Sequence, residues 1–462
     1  MNNLKKLIIV HRHGARYPLK HIYGDLSWPT NEHFWENYKG HLTPEGVLQL
    51  INIGQDLRLY YNDFITNINI NKIKVHSNNL QRTKTSAWSF LMGLFPNTGK
   101  YFRYLCDHRN KQLNFNIPNH IAIHVEAYAK SDKLFHLDKS KKRSLVTKKN
   151  LESSELFNKL LSDHEYIKLC NKMYKMTQLK KLSPSFPIID RLIKLKIINS
   201  QIKIAKAHNL DIIPNITGEE VTEDDMNKID IVANEIKKCY FIPGNENISN
   251  KQNISYCNYL LNEIFKHMQD DKYQFIEFSA HDTTLLALAS LLEIKIPIPE
   301  FASYFIFEIY KDNKIKIYYN PDPDKFTRKD LLAKRWDKLN IYQNWNNMQE
   351  GYFDLNEFGN RYNLYNLQNI YTSILNIEHL NKNGINDELE YTDIQENYPD
   401  IVKLFNYIDV NQKGLINYKD ILLFFEKLGL SVLYKKFNNI DMVNTININI
   451  NKFFKIIINN MC

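Results

Sequence analysis

Two histidines and two arginines fall within six residues of this chain, at His11, Arg12, His13 and Arg16. An imidazole can serve as nucleophile or base near neutral pH. Planar guanidinium forks match the oxygens of a phosphate or carboxylate two at a time. A solvated basic loop has no need of imidazoles at this spacing, and arginines are seldom buried without a partner. Groups of matching chemistry recur later, Arg82 in "SNNLQRTKTSA" (Ser77 to Ala87) and His281-Asp282 in "AHDTTLLAL" (Ala280 to Leu288). Arg12, Arg16, Arg82 and a histidine can neutralise a dianion such as a phosphoryl group. Phosphoryl transfer has a loose, in-line transition state, so a protein mainly positions it and stabilises its charge. A histidine nucleophile divides the displacement into two easier steps. A carboxylic acid can protonate the leaving alkoxide and then activate water. His13 and Asp282 are the candidates for those two roles, and this chemistry calls for no metal.

These groups need elements that bring them together. Leu7-Ile8-Ile9-Val10 is a short, uninterrupted apolar run, as in a strand buried on both faces of a parallel sheet. Gly14 and Pro18 end it, which places the cluster at the carboxyl edge where α/β sheets bind ligands. In "LTPEG" Thr43 can cap a helix, with Pro44 at its first position and Glu45 in its first turn. Val47, Leu50, Ile51, Leu57 and Tyr61 then recur at helical spacing. A strand at Ile73 to His76, a polar turn and a helix from about Leu80 put Arg82 in a first helical turn. Another strand runs to Phe278, directly before His281-Asp282. "IPIPEFASYFIFEIYKDNKIKIYYN" reads as a β-hairpin turning at Asp312-Asn313, on one edge of the sheet. The expected fold class is α/β: a mostly parallel, doubly wound sheet sandwiched by helices. Residues 140–265 read as an inserted helical cap within a catalytic domain spanning 1–362. An all-α module at 363–462 follows.

Composition bounds the class. The 462 residues carry a net charge of +9, which suits an anionic substrate. The basic groups form a compact site rather than a stripe, so no nucleic-acid partner is expected. No apolar segment reaches the length of a membrane span. Five irregularly spaced cysteines fit neither a zinc site nor a disulfide framework. With no visible signal peptide, a reduced, cytoplasmic setting is expected.

Together the motifs "RHGARYP" (Arg12 to Pro18), "LTPEG", "SNNLQRTKTSA", "AHDTTLLAL" and "IPEFASYFIFEIY" resemble the histidine acid phosphatases, in order over about residues 5–360. The resemblance implies a phosphomonoester hydrolase with His13 as phosphorylated nucleophile and Asp282 as proton donor. It implies a phosphate pocket of Arg12, Arg16, Arg82 and His281. "SAHD" in place of His-Ala-Glu argues against the phytase-like subgroup, and Gly351 to Tyr362 lacks the cysteine of secreted members. A phosphomutase of the same superfamily would place an acidic residue where Ala15 stands. A catalytically weak phospho-ligand binder or calcium-responsive scaffold would have lost His13 or Asp282, and both are present. The substrate beyond a small phosphomonoester is not legible.

In the tail, Asp409, Asn411, Gly414, Ile416 and Asp420 fall at positions 1, 3, 6, 8 and 12 of an EF-hand loop. Phe405 stands where the incoming helix would place it, and Phe437, Asp441, Ile448 and Phe453 suggest a degenerate second copy. Asp409, Asn411 and Asp420 are the candidate metal ligands. Lys413 at position 5 and the short Asp420 at position 12 lead us to expect weak calcium binding or none.

Overall fold

The computed structural model describes residues 3–21, 27–95, 123–125, 150–211, 219–239, 258–292, 294, 296, 298–323 and 352–361. Near the C-terminus it describes 405, 414–418, 421–422, 448–449 and 452–453. The chain divides into two compact units, Met1–Tyr362 and Asn363–Cys462.

In the first unit, strand β1 (Leu4–Arg12) is central. Leu7, Ile8, Ile9 and Val10 have no exposed surface. Each such buried side chain contributes about 1.5–3 kcal/mol relative to exposure. That burial needs a layer on each face. β1 runs two residues past Val10 because its ladder with β4 (Phe275–Ala280) continues, His11 opposite Ser279 and Arg12 opposite Ala280. β2 (Ile73–Ser77) and the short β3 (Ile123–Val125) extend the sheet on the far side of β4. β5 (Tyr304–Tyr310), β6 (Lys314–Asn320) and β7 (Phe353–Asp354) extend it beyond β1, giving the order β3-β2-β4-β1-β5-β6-β7.

The expected mostly parallel sheet is corrected here to a mixed one. The β1–β4, β2–β4 and β2–β3 pairs are parallel, but β1–β5, β5–β6 and β6–β7 are antiparallel. The reason lies before β5. The segment after β4 and its helix returns to the edge where β4 ended, where Arg12 N–H donates to Ser303 O and Ala302 N–H to His13 O. β5 therefore starts at that edge and runs backward. Asn313, at a left-handed φ of 60°, then turns the chain into β6, as the expected hairpin requires.

Helix α1 (Glu32–Tyr38) lies in the loop after the first motif. α2 (Pro44–Tyr60), α3 (Asn62–Thr66) and α4 (Gln81–Leu94) follow. α2 and α4 cover one face through Leu50, Leu57, Phe90 and Leu94 against Leu7, Ile9, Val75 and Phe275. A helical lobe follows, of α5 (Glu155–Ser162), α6 (His164–Thr177), α7 (Ile188–Ala207) and α8 (Glu223–Lys238). Its core runs from Leu151 to Cys239, through Phe157, Met173, Leu195 and Ile236. The expected cap of about 140–265 has its N-terminal and C-terminal stretches, 140–149 and 240–257, outside the described residues. Helix α9 (Asn258–Gln269) sets His267 against Phe278 of the sheet. α10 (Asp282–Leu291) follows β4, and α11 (Leu355–Arg361) follows β7. Among the described residues no helix is long and apolar enough to cross a membrane.

In the second unit, Ile416 and Ile448 form an isolated antiparallel bridge, each N–H donating to the other's carbonyl at 2.9 and 2.7 Å. The Phe405 and Phe453 rings lie 5.6 Å apart. Asp409, Asn411, Lys413, Asp420, Phe437 and Asp441 lie outside the described residues.

Candidate active site

The first motif leaves β1 at Arg12 and turns between two strands. His13 N–H donates to Ala280 O at 3.1 Å, and His13 O accepts from Ala302. The loop then presses on the start of α2. Thr43 caps that helix, accepting from Gly46 N–H at 3.3 Å, and its hydroxyl donates to Ala15 O at 3.1 Å. Ala15 N–H reaches Gln49 Oε1 at 2.9 Å, and Gly14 N–H reaches Ser86 Oγ of α4 at 3.2 Å. The "LTPEG" motif therefore holds the "RHG" loop rather than supplying chemistry of its own.

Gly46 is required by this contact. A Cβ there would meet Ala15 O at 2.1 Å and Ala15 N at 2.7 Å, both backbone atoms. Overpacking of this kind costs about 1–3 kcal/mol, and displacing the loop by about 1 Å can cost on the order of 10²-fold in rate. Gly46→Ala is expected to lower both Tm and turnover. A thermal melt and a phosphatase assay on the same preparation check this; an unchanged Tm would contradict it.

The sheet edge gathers the groups singled out in the sequence. His13 is buried, its ring 5.5 Å from that of His281 and 6.0 Å from that of Phe301. Its Nδ1 lies 2.8 Å from Gly14 O. A carbonyl only accepts, so Nδ1 carries the proton and Nε2 keeps its lone pair. Burial, then Arg82 and Arg12, hold the His13 pKa well below the usual imidazole value. The ring is neutral at neutral pH.

Arg12 lies with its guanidinium carbon 4.2 Å from the centre of the Phe301 ring and donates to Pro299 O at 2.8 Å. Arg16 donates to Tyr17 O at 2.9 Å and to Ser200 Oγ of α7 at 3.4 Å. Arg82 reaches Gly40 O at 3.5 Å. Burial and the neighbouring guanidinium groups bring Arg16 down to about 9. Burial, offset in part by Asp282, brings Arg82 to about 10. Both stay charged at neutral pH, and their mutual repulsion favours an incoming anion.

Asp282 opens α10 with Oδ1 accepting from Thr283 N–H at 2.9 Å. His281 precedes it, and its N–H donates to Thr284 Oγ1 at 3.4 Å. No pattern in the sequence marks the next contact. Lys237, at the end of α8 in the helical lobe, places Nζ 2.9 Å from Asp282 Oδ2. Burial opposes ionisation of Asp282, but Lys237 and Arg12 outweigh it and hold the carboxyl well below its usual range. Any rise that a bound phosphate dianion causes therefore starts from a depressed value. Burial, partly offset by Asp282, also lowers the pKa of Lys237. The lobe adds two further contacts. Lys203 of α7 bonds Glu300, and Ile204 packs with Ala15 and Phe301.

The structure thus brings Arg12, His13, Arg16, Arg82, His281 and Asp282 to one sheet edge. It adds Lys237, Ser200 and Phe301. Phe301 lies in "IPEFASYF", whose likeness pointed to no role for it, and Lys237 sits in a polar helix where nothing marks it. Four cations face one carboxylate, an arrangement that can bind a dianion around the Nε2 lone pair of a neutral imidazole.

The chain is similar to known proteins in sequence and in fold. Bovine prostatic acid phosphatase is 26% identical over 329 residues, covering 68% of this chain and 77% of its own length. Human lysosomal acid phosphatase is 38% identical over 98 residues, 21% of this chain and 22% of that protein. In fold the chain is similar to the Hafnia alvei phytase in complex with tartrate, with a TM-score of 0.54 and 16% identity over 79% of this chain and 98% of that one. The phytase from Citrobacter braakii gives the same TM-score of 0.54 at 16% identity, covering 78% and 97%. The sequence model of the histidine phosphatase superfamily (branch 2) matches residues 3–320, from β1 through β6, so the chain belongs to that family and is an enzyme of the acid phosphatase kind.

Proposed function

We propose that this enzyme hydrolyses a small phosphomonoester through a phosphohistidine on His13. The observation that carries the reading is the Nδ1 to Gly14 O bond, which leaves Nε2 as the lone pair inside a ring of guanidinium groups. Nε2 attacks phosphorus while the bond from phosphorus to the ester oxygen breaks. Arg12, Arg16, Arg82 and His281 bind the equatorial oxygens. Asp282 gives its proton to the leaving oxygen. Water then attacks phosphorus and loses a proton to Asp282 while the phosphorus–nitrogen bond breaks and returns its electron pair to Nε2, and inorganic phosphate leaves. An active site that accumulates base-stable, acid-labile label from a labelled phosphomonoester supports this course.

Asp282 must be protonated for the first step although the free protein favours its carboxylate. A bound phosphate dianion offsets Arg12 and disfavours ionisation, raising the pKa. Lys237 acts the other way. The acid form is present below the Asp282 pKa and is lost as pH rises through it. Removing the ammonium raises that pKa, so Lys237→Met is expected to move the alkaline limb of kcat/KM upward in pH. A limb that stays in place while KM rises would mean that Lys237 instead binds substrate.

For the C-terminal unit we propose an EF-hand-like pair. The Ile416–Ile448 bridge, Gly414 at a left-handed φ of 70° and the Phe405–Phe453 contact support it. Calcium is expected to bind at about 10⁻⁴ M or more weakly, because Lys413 opposes a cation and Asp420 is short for bidentate capture. Calorimetric titration of the full chain tests this; micromolar affinity lost in Asp409→Ala would make calcium regulation the better reading.

A further inference from the structure

On the sheet face against α9, three side chains converge whose chemistry the phosphatase reaction does not use. His76 projects from β2 and stacks on Phe278 of β4, the ring centroids 4.9 Å apart. Glu263 and His267 stand one turn apart on α9, which lies against that face. One ligand atom from each of the three lies within 4.8 Å of the others. The His76 and His267 ring centroids are 5.8 Å apart.

The orientation of His267 is what a metal ligand requires. Nδ1 faces Asp270 Oδ2 at 3.2 Å. A carboxylate at Nδ1 is the arrangement common behind metal-binding histidines, and it leaves Nε2 to a metal in place of its ion-pair contact with Glu263. His267 is only 4% exposed, and its buried Nε2 makes no hydrogen bond. Its nearest acidic atom is Glu263 Oε1, at 3.4 Å. That matches the edge of a zinc tetrahedron, about 3.4 Å for ligand bonds near 2.1 Å. The wider spread of the three atoms, up to 4.8 Å, closes with side-chain shifts of about 1 Å.

Nearby charges permit a cation. Lys6 donates to the carbonyls of His267 and Asp270 and so anchors the end of α9. Lys266 lies 3.7 Å from Glu263 Oε2 but is half exposed and free to swing into solvent.

We propose that His76, Glu263 and His267 form a binding site for a zinc-class divalent cation, which clips α9 to β2 and keeps its fourth position for water. Two imidazoles and one carboxylate suit Zn²⁺ and disfavour Ca²⁺ and Mg²⁺, which prefer all-oxygen ligands. Glu263, with its side chain 30% exposed, keeps that position open to solvent.

The test uses the full chain, stripped of metal and titrated with Zn²⁺ against a chromophoric chelator. One equivalent should bind at micromolar or tighter affinity, with Tm rising by about 3 °C or more at saturating metal. Glu263→Gln keeps the shape of a partly exposed side chain, so it should fold with the wild-type circular dichroism and bind at least about 10-fold more weakly. His267→Gln should lose the equivalent altogether. A wild-type chain that takes up no Zn²⁺ at about 10 µM overturns the proposal. So does binding that is unchanged in Glu263→Gln, which would place the metal elsewhere, on cysteines for example. If His267→Gln fails to fold, the Glu263→Gln comparison alone decides.

Discussion

His13→Ala is expected to abolish turnover, by about 10⁴-fold or more. His13 keeps its Nε2 lone pair among the charges of Arg12, Arg16 and Arg82. The loss should appear in kcat, because the guanidinium groups that bind the phosphate are untouched. Phosphohistidine is acid-labile, so the intermediate must be trapped in base. After mixing with labelled substrate, the wild type should carry label and the variant none. Full activity in the variant would sink the mechanism. Label on another residue would move the nucleophile while leaving the family assignment intact.

The parts of the site that sit at strand ends were legible in the sequence. Leu7 to Val10 announce β1 by their unbroken apolarity, and the residue after such a strand must lie at a sheet edge. Thr43 and Pro44 announce α2 for the same local reason. Strand order was not legible. Whether β5 joins β1 in parallel or antiparallel depends on where the segment 292–303 brings the chain back, and no local pattern encodes that. Lys237 was hidden for a similar reason. It lies 45 positions before Asp282, and only the packing of the helical lobe sets it 2.9 Å away. His76, Glu263 and His267 were missed because two of the three lie one turn apart on a helix while the third is on a distant strand. Such a site has no contiguous spacing to read.

The ion pair with Lys237 sharpens what loss of Asp282 should do. Asp282→Ala removes the proton donor, and general acid help is worth on the order of 10²–10⁴ in rate. The loss should depend on the leaving group. A nitrophenolate leaves without a proton, whereas an alkoxide needs one, so alkyl phosphates should suffer more than aryl ones. The variant also removes the carboxylate that offsets burial at Lys237, leaving that amine beside Arg12 to meet an incoming anion instead. With the repelling carboxylate gone, inorganic phosphate should bind more tightly even as turnover falls. Two readouts follow from one substitution: a widened ratio of aryl to alkyl kcat/KM, and a lower inhibition constant for phosphate. Asp282→Asn keeps the shape and should share both changes. Equal losses on aryl and alkyl substrates would assign Asp282 a positioning role at the start of α10, and the proton would then have to come from elsewhere. Lys237 is the nearest candidate. The double variant Lys237→Met with Asp282→Asn separates the two: if Lys237 is the donor, alkyl turnover falls further in the double variant than in Asp282→Asn alone.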